Sequence, residues 1–194
     1  MSISSVKTGA VGVSLLAGNT AYDPAATFLI ERVTATGSSQ VISFTSIPQI
    51  YKHLQIRGIA RSTEAAAGTN YTLTLNNDTG SNYAYHRLRA EGTSATGAGS
   101  ASQAYIFVGR APGAGTASGI MGAIIIDIHD YTSTTKYKTV RALMGQNSNN
   151  AYAGEISLRS GLWMSTNAIS SITITLDNPN FANTTTFALY GMVG

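Results

Sequence analysis

Apolar and polar residues alternate along most of this chain, and a two-residue period predicts β-strands. The segment "SSITITLD" is the clearest example, because its Ile and Leu side chains share one face and its Thr side chains share the other. The same alternation predicts eleven strands: "FLIERVTA" (28 to 35), "QVISFTS" (40 to 46), "YKHLQIRGIAR" (51 to 61), "NYTLTLNN" (70 to 77), "NYAYHRLRAEG" (82 to 92), "AYIFVGRA" (104 to 111), "GIMGAIIIDIHDY" (119 to 131), "YKTVRALMGQN" (137 to 147), "GEISLRSGL" (154 to 162), "SSITITLD" (170 to 177) and "TTFALYGMV" (185 to 193).

The segments between these strands are rich in Gly, Ser, Asn and Pro, the residues that favour turns. Two examples are "GTSATGAGSAS" (92 to 102) and "APGAGTASG" (111 to 119), which we interpret as connections. Short strands at this spacing, without an amphipathic helix of useful length, predict an all-β fold. We expect an antiparallel β-sandwich that is jelly-roll-like.

The first part of the chain has a different pattern. Residues 1 to 27 carry small side chains, an "AYDP" turn and little alternation, so we interpret them as an extended N-terminal arm. Such an arm is either disordered or held against a neighbouring molecule. We expect residues 28 to 194 to form the sandwich, and the arm to make contacts within an assembly.

Composition narrows the classes of function. Charged residues make up 11% of the chain, and their place is taken by Ser, Thr, Asn, Gly and Ala. A surface with so few charges repels itself weakly and suits a protein that packs beside copies of itself. The net charge of +3 comes from basic residues scattered along the chain, whereas nucleic-acid-binding proteins usually cluster them. We therefore expect no nucleic-acid partner, and no apolar stretch is long enough to predict a membrane span.

The absence of cysteine excludes disulfides, thiolate metal sites and cysteine nucleophiles. The three histidines lie on three predicted strands with outward or mixed parity, and nothing resembles the G-x-S-x-G turn of a serine nucleophile. On the strand that contains Lys52, His53, Arg57 and Arg61, we interpret these side chains as the solvated outer side of a sheet. The sequence predicts no enzyme and no cofactor.

The segment "DIHDY" (127 to 131) is the most suggestive polar group. Asp127, His129 and Asp130 offer two carboxylates and an imidazole, a set that a divalent metal accepts. The alternative is that polar residues simply end a buried strand before the turn that follows. We favour the second interpretation and keep the three residues as weak metal candidates.

Tyrosines are frequent near predicted strand ends and loops. Exposed tyrosines can stack on sugars, and they also fill protein interfaces. We expect glycan or partner contacts at Tyr83, Tyr85, Tyr131 and Tyr152. Trp163 follows a strand of alternating apolar residues, so we expect it in the core.

Several segments resemble a β-sandwich module found in structural proteins of tailed bacteriophages, especially aquatic ones. They are "LAGNTAYDPAATFLIERVTATGSSQVISF", "FTSIPQIYKHLQIRGIARS", "LNND" with "NYAYH", "IIIDIHDYTSTTKYKTVRALMG" and "SGLWMSTNAISSITI" with "NFANTTTFALYG". The resemblance spans roughly residues 18 to 192, and its motifs are structural: an Ile-Pro turn, a Tyr- and Thr-rich turn with lysines, and the closing "FALYG" strand.

The resemblance implies a virion component without catalytic activity, and it supplies no catalytic residue. It implies either a capsid decoration or cement protein, or a tail-fibre or adhesin module that binds host-surface glycans. Because the module follows only a short arm, we expect the decoration role. The expected partners are copies of the same chain, as a homotrimer, and other virion proteins such as the major capsid protein.

Overall fold

A computed structural model of the protein describes residues 27 to 148 and 154 to 193. The predicted arm therefore lies outside the described residues, apart from Thr27, and so does Tyr152. The described residues form twelve β-strands and no helix. It follows that this part of the chain has no helix long and apolar enough to cross a membrane.

Every one of the eleven predicted strands is present, which confirms the alternation as a guide to structure. The exception to the prediction is β6, a strand of Ser, Ala, Thr and Gly in a segment predicted as a connection. The strands are β1 (Thr27–Thr34), β2 (Val41–Phe44), β3 (His53–Ala60), β4 (Gly68–Leu75), β5 (Tyr83–Glu91), β6 (Ser94–Gln103), β7 (Ile106–Pro112), β8 (Gly122–Ile128), β9 (Lys138–Gln146), β10 (Glu155–Trp163), β11 (Ile172–Leu176) and β12 (Thr186–Met192).

The strands form two antiparallel sheets. The large sheet has the order β1-β12-β3-β8-β9-β10-β5-β6, and the small sheet has the order β2-β11-β4-β7. From β2 onward the chain passes repeatedly between the sheets, with β5–β6 and the meander β8–β9–β10 placed together in the large one. This alternation between two layers confirms the predicted antiparallel, jelly-roll-like sandwich.

The core lies between the sheets, where alternate residues of facing strands meet. On β8 the side chains of Ile124, Ile126 and Ile128 are buried, and on β11 those of Ile172 and Ile174 are buried in the same cluster. Trp163 is 2% exposed and stacks on Tyr83, with ring centroids 6.3 Å apart, which confirms its expected place in the core. The alternation in "GIMGAIIIDIHDY" predicts inward positions at Ile120, Ile124, Ile126 and Ile128. The last three are correct, whereas Ile120 precedes the strand and is half-buried.

Strand β7 is one edge of the small sheet, and it packs closely over β10. A Cβ atom at Gly161 of β10 would lie 2.5 Å from the side chain of Ile106 of β7, so only glycine permits this approach. Beyond this contact the large sheet continues through β5 and β6. The large sheet is therefore wider than the small one on this side, and its inner surface is only partly covered there.

The outer surface of the large sheet carries an unusual amount of exposed aliphatic side chain. Ile125 on β8 is opposite Leu143 on β9, Leu143 is opposite Leu158 on β10, and Leu158 is opposite Leu88 on β5. On β3 this row continues with Arg57, and two further aliphatic residues lie in the neighbouring row, where Ile59 is opposite Ala123 and Ile156 is opposite Gly145. All six aliphatic side chains are between 40% and 60% exposed. We call them the aliphatic face: Ile59, Leu88, Ile125, Leu143, Ile156 and Leu158.

Candidate functional site

A cleft opens where the large sheet extends past the small one. Its walls are β5, β6 and β10 on one side and β4 and β7 on the other. Two adjoining cavities, of about 260 Å³ and about 400 Å³, share Asn70, Arg87 and Phe107 in their linings. We call the two together the arginine cleft, because four guanidinium groups lie in the larger cavity: Arg87, Arg89, Arg110 and Arg159.

Strand pairing brings these charged residues together. Arg87 of β5 is opposite Arg159 of β10, and Glu91 of β5 is opposite Glu155 of β10. Arg89 also projects from β5 on this face, because side chains two residues apart in a strand point the same way. The sequences "RLRAE" and "EISLR" thus place charged side chains toward the cleft, and their Leu, Ala and Ile side chains point to the opposite surface of the sheet.

Glu155 is the centre of the ion pairs in the cleft, with only 1% of its side chain exposed. One carboxylate oxygen is 3.3 Å from Arg159 Nη2, and the other is 3.1 Å from Arg89 Nε and 3.9 Å from Arg110 Nη1. The contact with Arg89 Nε lacks the alignment of a hydrogen bond. The buried carboxylate of Glu155 therefore forms ion pairs with three guanidinium groups. Two of these, Arg89 and Arg110, also pair with the exposed Glu91.

Arg159 is the deepest of the four arginines. Its side chain is 1% exposed, and its guanidinium carbon lies 3.8 Å from the centre of the Phe107 ring. Nε donates a hydrogen bond to Ser157 Oγ at 3.1 Å, whereas Nη1 is buried without a hydrogen-bond partner among the described residues. Burial lowers the pKa of Arg159 to about 10, with Glu155 opposing the shift, so the side chain is still a cation at neutral pH.

The smaller cavity carries aromatic and neutral polar groups. Tyr85 meets Phe107 edge-to-face with ring centroids 6.0 Å apart, and Tyr105 lines the same wall. Asn70 donates a hydrogen bond from Nδ2 to Asp177 Oδ2 at 3.0 Å. The cleft thus joins a cationic end to an end with aromatic rings, an amide and a carboxylate.

The four arginines of the cleft are suited to binding. Guanidinium groups remain protonated and present fixed N–H donors, which match the geometry of carboxylate, sulfate and phosphate oxygens. They do not exchange protons at physiological pH, so the four arginines do not act as general acids or bases. The arrangement can hold an anionic group and orient it against the aromatic wall.

The polar group at Asp127, His129 and Asp130 has a structural place. Asp127 accepts hydrogen bonds from Gln55 Nε2 at 2.8 Å and from Arg141 Nη2 at 2.7 Å. Burial opposes ionisation there, yet these two partners leave the pKa of Asp127 lowered. Within the described ranges no three His, Cys, Asp or Glu side chains are placed to hold a metal ion.

Asp130 is occupied by cations of the chain itself. Its two oxygens lie 3.0 Å from Lys52 Nζ and 2.7 Å from Lys136 Nζ, and these lysines lower the pKa of the carboxyl. The backbone N–H of Asp130 donates to Nδ1 of His53, and the His53 ring packs edge-to-face on His129 at 5.0 Å. These contacts fasten the end of β8, as the structural interpretation of this segment expects.

Of the four tyrosines predicted as contact residues, the three that the structure describes do not form one site. Tyr83 and Tyr131 are fully buried, so neither ring is available to a ligand on the surface. The Tyr83 hydroxyl donates to the carbonyl of Leu75, and that of Tyr131 donates to the carbonyl of Pro48. Tyr85 alone lines a cleft, and Tyr152 lies outside the described residues.

The polar residues of the third predicted strand also have identified partners. Arg61 turns away from the outer surface and donates from Nη1 to the carbonyl of Ile120 at 2.8 Å, which fastens the loop before β8. Arg57 stacks over Tyr190 at 5.4 Å. Lys52 and His53 belong to the contacts at Asp130.

Sequence reasoning missed the cluster in the arginine cleft. The signal was present as charges at two-residue spacing: Arg87, Arg89 and Glu91 in β5, and Glu155 and Arg159 in β10. Comparison of the chain with protein-family models, curated proteins and solved structures gave no significant match.

Proposed function

We propose that this chain is a non-enzymatic structural protein of a bacteriophage particle. In this role it is a capsid decoration or cement protein at the virion surface, bound to copies of itself and to the major capsid protein. The quoted sequence resemblance supports the phage assignment, and the two-layer β-sandwich is the architecture that the resemblance implies. The structural observation that carries the role in assembly is the aliphatic face.

The aliphatic face spans five neighbouring strands, which is about 19 Å at the usual strand spacing. From β8 to β5 its rows contain few polar atoms, because the positions beside the aliphatic residues are Ala123, Gly145 and Ala90, whereas Arg57 on β3 ends one row. A contiguous apolar surface of this kind marks an interaction site in a soluble protein. Covering it removes apolar area from water, which is favourable at about 25 cal/mol per Å².

The occupant we assign to this face is a second copy of the chain. The face is flanked by Asp127 and Arg141, which carry opposite charges on one border, so a like surface can match both signs. Symmetric contacts of one patch with itself are the usual way in which identical chains associate. Such a two-fold contact makes pairs of chains, whereas the expected homotrimer requires a separate contact of three-fold symmetry. On the particle, the predicted N-terminal arm is the candidate for that contact.

The mass of the protein in solution tests the assembly. We expect light scattering after size-exclusion chromatography to give twice the 20.2 kDa chain mass. The double change Leu143→Lys with Leu158→Lys should reduce it to one chain, because two buried ammonium groups have no partner in a like interface. The control is Thr74→Lys with Thr173→Lys, a neighbouring pair in the small sheet that should leave the mass unchanged. A monomeric unaltered chain would overturn the assigned occupant.

Location in the particle tests the role itself. An antibody against the recombinant chain should label the head of particles purified from cells that produce the protein. Absence of the chain from purified particles would overturn the proposal.

The alternative is a tail-fibre or adhesin module that binds host-surface glycans. The observation that favours it is the arginine cleft, which lies on the opposite surface of β5 and β10 from the aliphatic face and has the charge and shape to hold a ligand. Labelling at the tail tip instead of the head would support this alternative.

A further inference from the structure

We infer that the arginine cleft binds an acidic saccharide, with the carboxylate or sulfate group of the sugar against the arginines. The inference depends on the geometry of the cleft alone, and it holds whether the chain lies on a head, on a tail or on neither. Three features carry it: an excess of positive charge, a buried donor without an acceptor, and an adjoining wall suited to a sugar ring.

Four guanidinium groups face two carboxylates in the larger cavity and at its mouth. Arg89, Arg110 and Arg159 share Glu155 and Glu91, whereas Arg87 has no carboxylate partner within the described ranges. Arg87 instead lies over the Phe107 ring at 5.6 Å. Positive charge in a partly desolvated cleft favours a bound anion, since buried charges are normally paired.

The donor at the bottom of the cleft is Arg159 Nη1. This group is buried in a side chain that is 1% exposed, and it has no hydrogen-bond partner in the part of the chain described. A buried donor without an acceptor is unfavourable, and a charge-assisted bond to an oxyanion is among the stronger hydrogen bonds in proteins. The planar fork of a guanidinium group matches the two oxygens of a carboxylate or sulfate.

The adjoining cavity favours a sugar over other carriers of an acidic group. Tyr85, Tyr105 and Phe107 offer ring surface, and Asn70 with Asp177 offers a donor and an acceptor for hydroxyl groups. A cavity of about 400 Å³ beside one of about 260 Å³ has the size of a small-ligand site.

The charges in the cleft argue against nucleic acid. Asp177 in the smaller cavity and Glu91 near the larger one repel the repeated phosphates of a polyanion. Sites for single strands follow the backbone along a positive groove, whereas here the most buried arginine lies at the bottom of a compact cavity. A ligand with one acidic group and an otherwise neutral structure fits the arginine cleft better than a polyanion does.

The test uses the full chain and the monosaccharide glucuronate, with NMR shifts of the arginine side chains and calorimetry as readouts. Glucose, inorganic sulfate and a short oligothymidine are the comparison ligands. The variant Arg87→Gln keeps the first stem carbons and a polar end, and it removes the charged group that lies over Phe107. Its control is Arg57→Gln, which removes an arginine stacked on a ring at a similar distance on the outer surface.

We expect glucuronate to shift the resonances of Arg87 and Arg159, and to bind more tightly than glucose or sulfate alone. Arg87→Gln should weaken binding roughly 10-fold or more, the usual effect of one lost charge-assisted contact, and Arg57→Gln should not change it. Thermal melting of both variants shows that the fold is retained. Failure of glucuronate to bind, equal binding of glucose, equal binding of sulfate alone, or tighter binding of oligothymidine at these residues would each overturn the inference.

Discussion

Strands β8 and β10 are separated by β9 in the large sheet, yet β8 turns aliphatic side chains inward and β10 turns charged ones inward. On β8 the inward residues are Ile124, Ile126 and Ile128, whereas on β10 they include Glu155 and Arg159. The difference follows the small sheet, which covers β8 but ends at β7, close to β10. At the margin of a sandwich, a polar cluster is retained inside and aliphatic residues are left outside.

The inner and outer surfaces of β10 carry different kinds of side chain. Because β10 turns its charged residues toward the cleft, its Ile156 and Leu158 must point outward, and they supply part of the aliphatic face. The cleft and the aliphatic face are thus two consequences of a single alternation. Substitutions in β8 and β10 test whether the buried polar cluster contributes as much to the unfolding free energy as the buried aliphatic residues do.

The largest effect is expected from Glu155→Ala. This change leaves the buried Arg159 without its carboxylate, and breaking a buried pair from one side costs about 3–5 kcal/mol of unfolding free energy. Urea denaturation at fixed protein concentration measures it. Glu91→Ala is the control, because this exposed partner of Arg89 should contribute about 1 kcal/mol or less. Equal effects of the two changes would show that burial does not distinguish the carboxylates.

Next in size is the contrast between two neighbours on β8. Ile126 is fully buried and Ile125 is 40% exposed on the aliphatic face. Ile126→Ala should lower the unfolding free energy by about 3 kcal/mol through lost burial and a cavity. Ile125→Ala should cost about 1 kcal/mol or less in the isolated chain, as for most surface changes. A larger loss at Ile125 in denaturant titrations of the monomeric double-lysine variant would contradict the assigned faces.

The smallest effect concerns pH and the carboxyls that end strands. Hydrogen bonds and charges from Lys136 and Lys52 hold the pKa of Asp130 well below its usual range, and a hydrogen bond from Trp163 lowers that of Asp78. The folded state then binds fewer protons than the unfolded state, so these groups stabilise the fold above the usual carboxyl pKa of 3.8. Their contribution is lost as the pH falls through that value toward the folded pKa.

We therefore expect the melting temperature to fall between about pH 5 and pH 3, since acid protonates carboxylates that are paired in the fold. Asp130→Asn should make this fall shallower, with salt reducing the difference because the ion pair is exposed. A melting temperature that rises on acidification would contradict the assignment.

Most of the fold could be predicted from the sequence, because eleven of the twelve described strands alternate between apolar and polar residues. Strand β6 could not, since its Ser, Ala and Gly side chains have low strand propensity and no apolar face. It is a strand because β5 pairs with it from Glu91 opposite Ser94 to Tyr83 opposite Gln103. That pairing is a tertiary effect that no local pattern contains.

The candidate site was less predictable for a related reason. The alternating charges of β5 and β10 show two surfaces, but alternation does not say which surface is covered. Placing Arg159 inside requires knowing that β7 ends the small sheet above it and that Phe107 covers its guanidinium group. Tyr83 illustrates the converse, because a tyrosine near a strand start suggested exposure and the ring is in the core.

The position of β12 has a consequence for how the protein is made. This strand, the last described in the chain, lies between β1 and β3 and pairs with both, and β11 lies between β2 and β4. Among the amino-terminal strands, β1 therefore has no described partner until β12 has been made, and β2 has none until β11 has been made. The pairing of β1 and β2 must therefore wait for the last two described strands, and contacts this distant along the chain form slowly. Nascent chains cut short before residue 172 should remain unfolded, with their apolar strands open to aggregation.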